Sequence, residues 1–224
     1  MSVLEDPIQR HPTRAEQLDI LVSAIEATAP QGGQVLDVGC GTGYVGHLLS
    51  QRRADLKFVG VDINADALQA ADVNLSGFTG SVHLLQGDLN DIENVGIPDG
   101  PYHAIFSALT FHDLEDDAKA RVIATLAMQL ADEGFLYIYD RVRLTEAPLF
   151  PLQQAVWSRI ERVHGVAMRS ADSFPAYEED LDNTNTPARL NSYFEWFTGL
   201  GLSAQLLHLH GNIMLVAAAK APSA

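Results

Sequence analysis

Residues 35–43, with the sequence VLDVGCGTG, decide the fold class of this chain. A short apolar run breaks into three alternating glycines just before a segment with helical spacing. Because glycine carries no Cβ, the backbone can turn sharply there and approach a bound molecule closely. Asp37 lies near the end of the run, where it has no role in packing a parallel strand, and its carboxylate can hold an ammonium group. The stretch therefore predicts a strand, a ligand-binding turn and a helix.

Strands and helices alternate over the first 140 residues. Apolar runs predict strands at 34–38, 57–61, 81–85, 102–107 and 135–139. Between them, apolar side chains recur at helical spacing, as they do over 115–131. This alternation implies right-handed crossovers and a mainly parallel sheet with helices on both faces. Such sheets bind ligands beyond the carboxyl ends of their strands.

The pattern changes after residue 139. One helical stripe is formed by Leu149, Leu152, Val156, Ile160 and Val163. A further helix is predicted to start at Thr186-Pro187, because proline is favoured in the first turn. Two apolar runs, 203–209 and 212–219, are separated by a short turn and predict a β-hairpin. The last strand pairing is therefore expected to be antiparallel.

Two more acids stand at predicted strand ends. Asp62 ends the second strand, where a carboxylate can accept hydrogen bonds from both ribose hydroxyls. Asp88 follows the third strand and can accept from an exocyclic adenine amine, while Leu89 can cover the ring. Each acid alone can be a turn former or a helix cap. Three acids at consecutive strand ends are harder to explain in that way and favour a nucleoside ligand.

The glycine-rich loop has other interpretations. Gly41, Gly43 and Gly46 also satisfy the dinucleotide pattern G-x-G-x-x-G. A pyrophosphate would gain nothing from the carboxylate of Asp37, and the terminal hairpin also opposes an NAD-binding dehydrogenase. A glycine-rich turn that binds no ligand is the other alternative. Both of these interpretations are less favoured than a binding site for a positively charged ligand.

Residues 35–43, 59–63, 86–89 and 102–107 resemble successive motifs of the class I S-adenosylmethionine (SAM)-dependent methyltransferases. The resemblance covers residues 14–140 and implies a doubly wound α/β fold. It implies a seven-stranded sheet in the order 3-2-1-4-5-7-6, with strand 7 antiparallel and helices on both faces. SAM is then the cofactor and S-adenosylhomocysteine (SAH) its product. The resemblance also implies Gly39 and Gly41 against the methionine part, Asp62 on the ribose and Asp88 on the adenine. The whole set of predicted cofactor residues is Asp37, Gly39, Cys40, Gly41, Gly43, Asp62, Ile63, Asp88, Leu89 and Ser107.

The segment that follows the fourth strand contains a candidate catalytic residue. Because this segment leaves the strand at the cofactor edge, its side chains are candidates to face the transferred methyl group. His112 suits the removal of a proton from a hydroxyl acceptor, since the unperturbed pKa of histidine lies near neutrality. His112-Asp113-Leu114 resembles the His-Asp-Trp segment of small-molecule O-methyltransferases, in which the histidine is the general base, although leucine replaces tryptophan. The alternative is a histidine that caps the following helix or packs under it.

We expect one domain over residues 1–224, with 143–201 as a helical lid or substrate insertion before the final hairpin. This insertion is rich in aromatic residues, namely Trp157, Phe174, Tyr177, Tyr193, Phe194, Trp196 and Phe197. They can line an acceptor pocket. They can equally be core residues of packed helices. Association of two copies through the aromatic helix at 187–200 is also open.

The composition narrows the range of partners. The chain carries 14 basic and 29 acidic residues, a formal charge of −15, which argues against a nucleic-acid substrate. The sequence has no apolar run of about 18 residues and thus no expected membrane span. The single cysteine excludes an intramolecular disulfide and fits a reducing compartment, so we expect a cytoplasmic protein. A metal-dependent catechol-type mechanism is an alternative, but we expect no metal, because the sequence shows no ligand cluster and Asp113, Asp116 and Asp117 fit the start of a helix.

The sequence therefore predicts a SAM-dependent methyltransferase that acts on a hydroxyl or amine of a small molecule. The paired helices before the last hairpin also look like those of carboxy-S-adenosylmethionine synthase and its relatives in the modification of tRNA wobble uridines. Such an enzyme uses SAM to build a modified cofactor instead of methylating an acceptor. A non-catalytic partner subunit with the SAM fold is a further alternative, opposed by the presence of the glycines and of Asp62.

Overall fold

The computed structural model describes residues 13–165 and 171–221. In these residues a single sheet of seven strands is formed. The strands are β1 Gln34–Val38, β2 Lys57–Asp62, β3 Val82–Gln86, β4 Tyr102–Ala108, β5 Leu130–Arg141, β6 Leu202–His210 and β7 Ile213–Lys220. All the predicted strands are present, and β5 extends five residues further toward the N-terminus than its apolar run indicated.

The strand order is β3-β2-β1-β4-β5-β7-β6. Strands β1 to β5 pair in parallel, and β7 runs antiparallel to both β5 and β6. The order and the antiparallel seventh strand confirm the fold that the sequence resemblance implied. The central strands are buried along nearly their whole length. This burial is typical of parallel sheets, because helices cover both of their faces.

Helices lie on both faces of the sheet. They are α1 Arg14–Thr28, α2 Tyr44–Ser50, α3 Ala65–Asn74, α4 Asp116–Met128, α5 Phe150–His164, α6 Phe174–Thr184 and α7 Leu190–Gly199. Short 3-10 turns occupy Leu89–Asn94, Phe111–Asp113 and Ala147–Leu149. No helix among the residues described is both long enough and apolar enough to cross a membrane.

The alternation of side chains along each strand divides the core into two clusters. On β1, Leu36 and Val38 belong to the cluster on the side of α4 and α7, whereas Val35 belongs to the cluster on the side of α1, α2 and α3. On β5, Ile138 points to the first cluster and Tyr139 to the second. Asp140, the next residue, therefore returns to the face that carries α4 and α7.

The helix α5 confirms the predicted helix, but of the predicted stripe only Ile160 is buried. Its buried side chains include Phe150 and Trp157, which pack against Tyr177 of α6 in a small separate cluster. The side chains of the predicted stripe that remain exposed are Leu149 at 56%, Leu152 at 66%, Val156 at 40% and Val163 at 56%. Aromatic rings bury more apolar area than leucine or valine, so they determine which face of the helix turns inward.

Helix α7 packs its aromatic side chains into the core of its own chain. Tyr193 and Phe197 are fully buried in the core cluster that also contains β7 and α4. The aromatic residues of the insertion thus serve mostly as core, as the alternative interpretation of the sequence had it. A dimer through this helix stays a prediction that would have to use its remaining surface.

Candidate cofactor and acceptor site

The carboxyl ends of β1 and β2 are held together by the glycine-rich loop. The backbone N–H groups of Gly39 and Cys40 both donate to the carbonyl of Val61, at 2.7 and 3.0 Å. Three glycines of the loop adopt positive φ, namely Gly39 (+78°), Gly41 (+53°) and Gly43 (+80°). Residues other than glycine seldom adopt this conformation, so the backbone itself requires these glycines. The predicted turn between strand and helix is thereby confirmed.

A steric constraint also requires glycine at position 39. A Cβ at this position would lie 2.1 Å from Oγ1 of Thr110, whose hydroxyl donates to the Gly39 carbonyl at 3.3 Å. A Cβ on Gly41, in contrast, would meet nothing within 4 Å. The loop therefore approaches the segment after β4 at Gly39 and faces open space at Gly41. Of these two glycines, Gly41 has the environment expected of a residue that lines a ligand site.

Asp37 is a buried carboxyl that lacks a complete set of partners. Its side chain is 1% exposed, and Oδ1 has no hydrogen-bond partner among the described residues. Burial raises the pKa of Asp37 well above its usual range, and the negative charge of Asp62 raises it further. A buried polar atom without a partner costs free energy, which a donor or a cation at this place would recover. The site therefore fits a ligand that brings an ammonium group.

Asp62 ties the loop to the end of β2. Its Oδ2 accepts from the N–H of Gly41 at 2.7 Å and its Oδ1 accepts from the N–H of Asn64 at 2.9 Å. Each carboxylate oxygen keeps a second lone pair, so both oxygens can still accept from ribose hydroxyls. The turn-forming role that the sequence allowed for this acid is therefore present, and only the contact with Gly41 was not predicted. The neighbouring Ile63 is 62% exposed, which leaves an apolar side chain beside the acid.

Asp88 is exposed and caps the short helical turn that follows β3. Its Oδ1 accepts from the N–H of Asn90 at 2.8 Å and from the Asn90 side-chain amide at 2.9 Å. The capping role is thus present in the structure, and Oδ2 carries no hydrogen bond from the described residues that would prevent contact with an amine. Leu89 is buried next to it.

Two of the predicted cofactor residues turn their side chains inward. The hydroxyl of Ser107 donates to the carbonyl of Val38 at 2.7 Å and joins β4 to β1. The thiol of Cys40 is buried, and burial raises its pKa. Any contact of these two residues with a cofactor is therefore left to their backbone atoms and stays a prediction.

His112 is paired with an acid that the sequence interpretation missed. The turn that carries His112 brings its Nδ1 to 2.6 Å from Oδ1 of Asp140, at the end of β5. The backbone N–H of His112 donates to Oδ2 of the same carboxylate at 2.9 Å, and the N–H of Arg141 donates to Oδ1 at 2.6 Å. Both side chains are buried, with 9% of the histidine side chain exposed and 1% of the aspartate. Asp140 ends an apolar strand just as Asp37 does, and this signal could have identified it.

Residues 185–188, between α6 and α7, form a segment that we call the strap. The strap is hydrogen-bonded to the turn that carries His112. The N–H of Thr186 donates to the carbonyl of His112 at 2.7 Å, and its hydroxyl donates to the carbonyl of Leu114 at 2.7 Å. The ammonium group of Lys119, which is fully buried, donates to the carbonyls of Leu114 and Thr186. The histidine that was predicted as a general base thus lies in a turn that is fixed on two sides.

The chain resembles known proteins in sequence. Residues 35–134 match the model of a family described as a methyltransferase domain. Ribosomal RNA small subunit methyltransferase C of Haemophilus influenzae strain PittGG is 32% identical over 104 residues, which make up 46% of this chain and 29% of that protein. The chain spans about three tenths of the length of the first curated relatives it matches.

Solved structures share the architecture. An O-methyltransferase family protein from Burkholderia thailandensis superimposes with a TM-score of 0.67 at 16% identity, over 93% of this chain and 56% of that one. The DhpI–SAH complex superimposes with a TM-score of 0.59 at 19% identity, over 95% of this chain and 88% of that one. At these identities the similarity establishes the fold. The strand order and the glycine-rich loop agree with the match of residues 35–134 to a methyltransferase domain.

Proposed function

We propose that this chain binds SAM at the carboxyl edge of β1, β2 and β3 and transfers its methyl group to a small molecule. The acceptor class is a hydroxyl or an amine, and the buried pair of His112 and Asp140 favours the hydroxyl. This pair is the single observation that carries the proposal, because an amine free base can accept a methyl group without prior loss of a proton, whereas a hydroxyl must lose its proton.

The residues of the first three strand ends suit the parts of SAM. The unpartnered oxygen of Asp37 suits the ammonium group, with the backbone of Gly39 and Gly41 beside the methionine part. Asp62 suits the ribose hydroxyls. Asp88 suits the adenine, together with the apolar side chains of Ile63 and Leu89. When bound, SAM supplies an electrophilic methyl group on its sulfonium sulfur. The protein's part in the transfer is then to orient the acceptor and to take its proton.

His112 has the geometry of a base with a fixed tautomer. With Nδ1–H donated to the Asp140 carboxylate, the lone pair of Nε2 is the one that can accept a proton. A hydroxyl acceptor placed at Nε2 would lose its proton to that nitrogen as its oxygen binds the methyl group. Asp140 would then stabilise the imidazolium, which is the role of the acid in other histidine–acid pairs.

The insertion at 143–201 is proposed to close over this acceptor. Its strap contacts the His112 turn, and its helices α5 and α6 pack on each other through aromatic residues. A formal charge of −15 opposes a nucleic-acid acceptor, although a curated relative is named for ribosomal RNA. We therefore prefer a small-molecule acceptor to RNA.

The proposal is tested in two steps on the full chain. Calorimetric titration with SAH should give micromolar binding that Asp62→Ala weakens at least tenfold and that His112→Ala leaves unchanged. A panel of phenols, alcohols and amines, assayed by SAH release, should then contain hydroxyl acceptors whose methylation His112→Ala reduces about 10²-fold or more. Full activity of His112→Ala on a hydroxyl acceptor would remove the base role, and absence of SAH binding would overturn the whole proposal.

The mass of a copurified ligand distinguishes the carboxy-SAM reaction from methyl transfer. Native mass spectrometry of freshly purified protein would detect a copurified adenosyl ligand heavier than SAM by one carboxylate group. SAM or SAH itself supports methyl transfer, whereas the heavier species would move the carboxy-SAM reaction to first place.

A further inference from the structure

A polar bridge links the end of β5 to the turn that carries His112. Nη1 of Arg141 donates to the side-chain oxygen of Asn185 at 2.7 Å. The side-chain amide of Asn185 donates in turn to Oδ1 of Asp113 at 3.1 Å. Asn185 follows the last residue of α6, so the bridge runs through the strap. One amide therefore has its oxygen fixed by an arginine and its nitrogen directed at an acid.

The acid at the end of this bridge is the neighbour of the histidine. Oδ1 of Asp113 lies 3.7 Å from Nε2 of His112, within the distance of an ion pair but too far for a hydrogen bond. Nε2 is the nitrogen that remains when Nδ1 pairs with Asp140. The Asp113 oxygen within ion-pair distance of Nε2 is thus the same oxygen that Asn185 holds.

Other charged and titratable groups surround the turn. From β5 come Asp140 and Arg141, and from α4 come Lys119 and Asp116, which pair with each other at 3.0 Å. From α7 comes Tyr193, where burial raises the hydroxyl pKa and the charges of Asp140 and Asp116 add to the rise. Of these groups, Asp140 is already bonded to Nδ1, and Lys119 is directed at backbone carbonyls. Asp113 is therefore the acid that is placed to compete for Nε2.

We propose that Asn185 is a positioning residue that keeps the Asp113 carboxylate away from Nε2 of His112. The inference rests on the proposed function, in which Nε2 takes the acceptor's proton. Without the donor on Asn185, a shift of about 1 Å would bring Oδ1 of Asp113 into a charge-assisted hydrogen bond with Nε2. The imidazole would then have a carboxylate at each nitrogen, which favours the protonated ring. A protonated His112 cannot accept a proton, and the carboxylate would also block the place of the acceptor.

The first test measures the titration of the ring and needs no acceptor. NMR of the histidine Cε1–H signals over pH 4 to 9 follows each imidazole, and the His112 signal is assigned by its loss in His112→Gln. In Asn185→Ala the midpoint of the His112 titration should move to higher pH by about half a unit, since Asp113 is largely exposed and its charge is screened. An unchanged midpoint would overturn the proposal.

Two further variants separate positioning from general loosening of the insertion. In the double variant Asn185→Ala/Asp113→Asn the midpoint should return to or below that of the wild type, because the competing charge is gone. Gln154→Ala is the matched control, since Gln154 is an amide on α5 that donates to the Ala171 carbonyl at 3.0 Å and does not touch the His112 turn. Its midpoint should not move. A shift that persists in the double variant, or that Gln154→Ala reproduces, would contradict a specific role of Asn185.

The pH dependence of methyl transfer then distinguishes this inference from the proposed function. With a hydroxyl acceptor, the acid limb of the pH–rate profile of Asn185→Ala should move to higher pH together with the ring titration, and activity well below the midpoint should fall about threefold, the factor that corresponds to half a pH unit. If the ring titration moves and the profile does not, Asn185 positions Asp113 but His112 is not the base. If neither moves, the inference fails while the proposed function stands on His112→Ala.

Discussion

The carboxylate of Asp140 holds His112 at two points, the ring through Oδ1 and the backbone N–H through Oδ2. One acid therefore fixes both the tautomer of the imidazole and the path of the turn that carries it. Because both side chains are buried, the pair is shielded from solvent that would weaken it.

Asp140→Asn should lower kcat of a hydroxyl acceptor about 10²-fold, since an amide can hold the turn but cannot stabilise the imidazolium. The affinity for SAH should stay within twofold of the wild type, because Asp140 lies near the end of β5, whereas Asp37, Asp62 and Asp88 lie at the ends of β1, β2 and β3. Steady-state kinetics and calorimetry on one preparation measure both quantities. Unchanged kcat would show that the pair is structural only.

Asp37→Asn should make the ligand-free protein more stable and its cofactor binding weaker. Burial raises the pKa of Asp37 in the folded state above its unfolded value, so the folded chain binds the extra proton and loses stability as the pH rises from about 4. Asparagine is neutral at every pH, so the advantage of Asp37→Asn should grow with pH, and each kcal/mol should appear as about 2–4 °C in Tm. Thermal unfolding of both proteins between pH 4 and 8, with and without SAH, measures the difference in Tm. The rise in Tm produced by SAH should be smaller in the variant, and an equal rise would exclude Asp37 from the cofactor site.

Gly39→Ala should be far more costly than alanine at another glycine with positive φ. Gly39 combines a φ of +78° with a Cβ position 2.1 Å from Oγ1 of Thr110. Gly32 is the matched control, because its φ is +66° and nothing lies within 4 Å of its Cβ position. Gly32→Ala should lose about 1–2 kcal/mol of unfolding free energy from backbone strain alone, and Gly39→Ala should lose at least about 1 kcal/mol more from overpacking. Urea denaturation of both variants checks the difference, and equal losses would contradict the contact with Thr110.

Lys119→Met should destabilise the chain by about 3 kcal/mol. The substitution keeps the length of the side chain but leaves the carbonyls of Leu114 and Thr186 without their buried donor. Lys220→Met is the control, because its ion pair with Asp132 is exposed and should contribute less than about 1 kcal/mol. Chemical denaturation compares the two. If both variants lose equally little, the ammonium group does not hold the strap to the His112 turn.

Much of the fold could be predicted because its signals are local. The run of residues 35–43 combines a buried strand, positive-φ glycines and a helix start within nine positions. The acids Asp37, Asp62 and Asp88 each stand where a strand ends, so alternation of strands and helices was enough to bring them to one edge. The final hairpin was visible as two apolar runs around a turn, and it determined the antiparallel seventh strand.

The contacts around His112 could not be predicted in the same way. Asp140 is 28 residues away and Asn185 is more than 70 residues away, so their positions depend on how β5 and the insertion pack. The inward face of α5 was also undetermined, because that helix carries two apolar stripes and spacing alone does not rank them. The roles of the residues assigned to the cofactor stay predictions, and for Asp62 and Asp88 the structure adds a second role in holding loops.

The end of β5 has a consequence for which changes in length this chain can accept. Neighbouring residues Asp140 and Arg141 reach two separate partners, the ring of His112 and the side chain of Asn185 in the strap. Successive residues of a strand point to opposite faces, so inserting or deleting one residue within β5 would exchange the two side chains. Both contacts would be lost in a single event. The length of β5 therefore determines both contacts, and we expect natural variants to keep the number of residues in this strand.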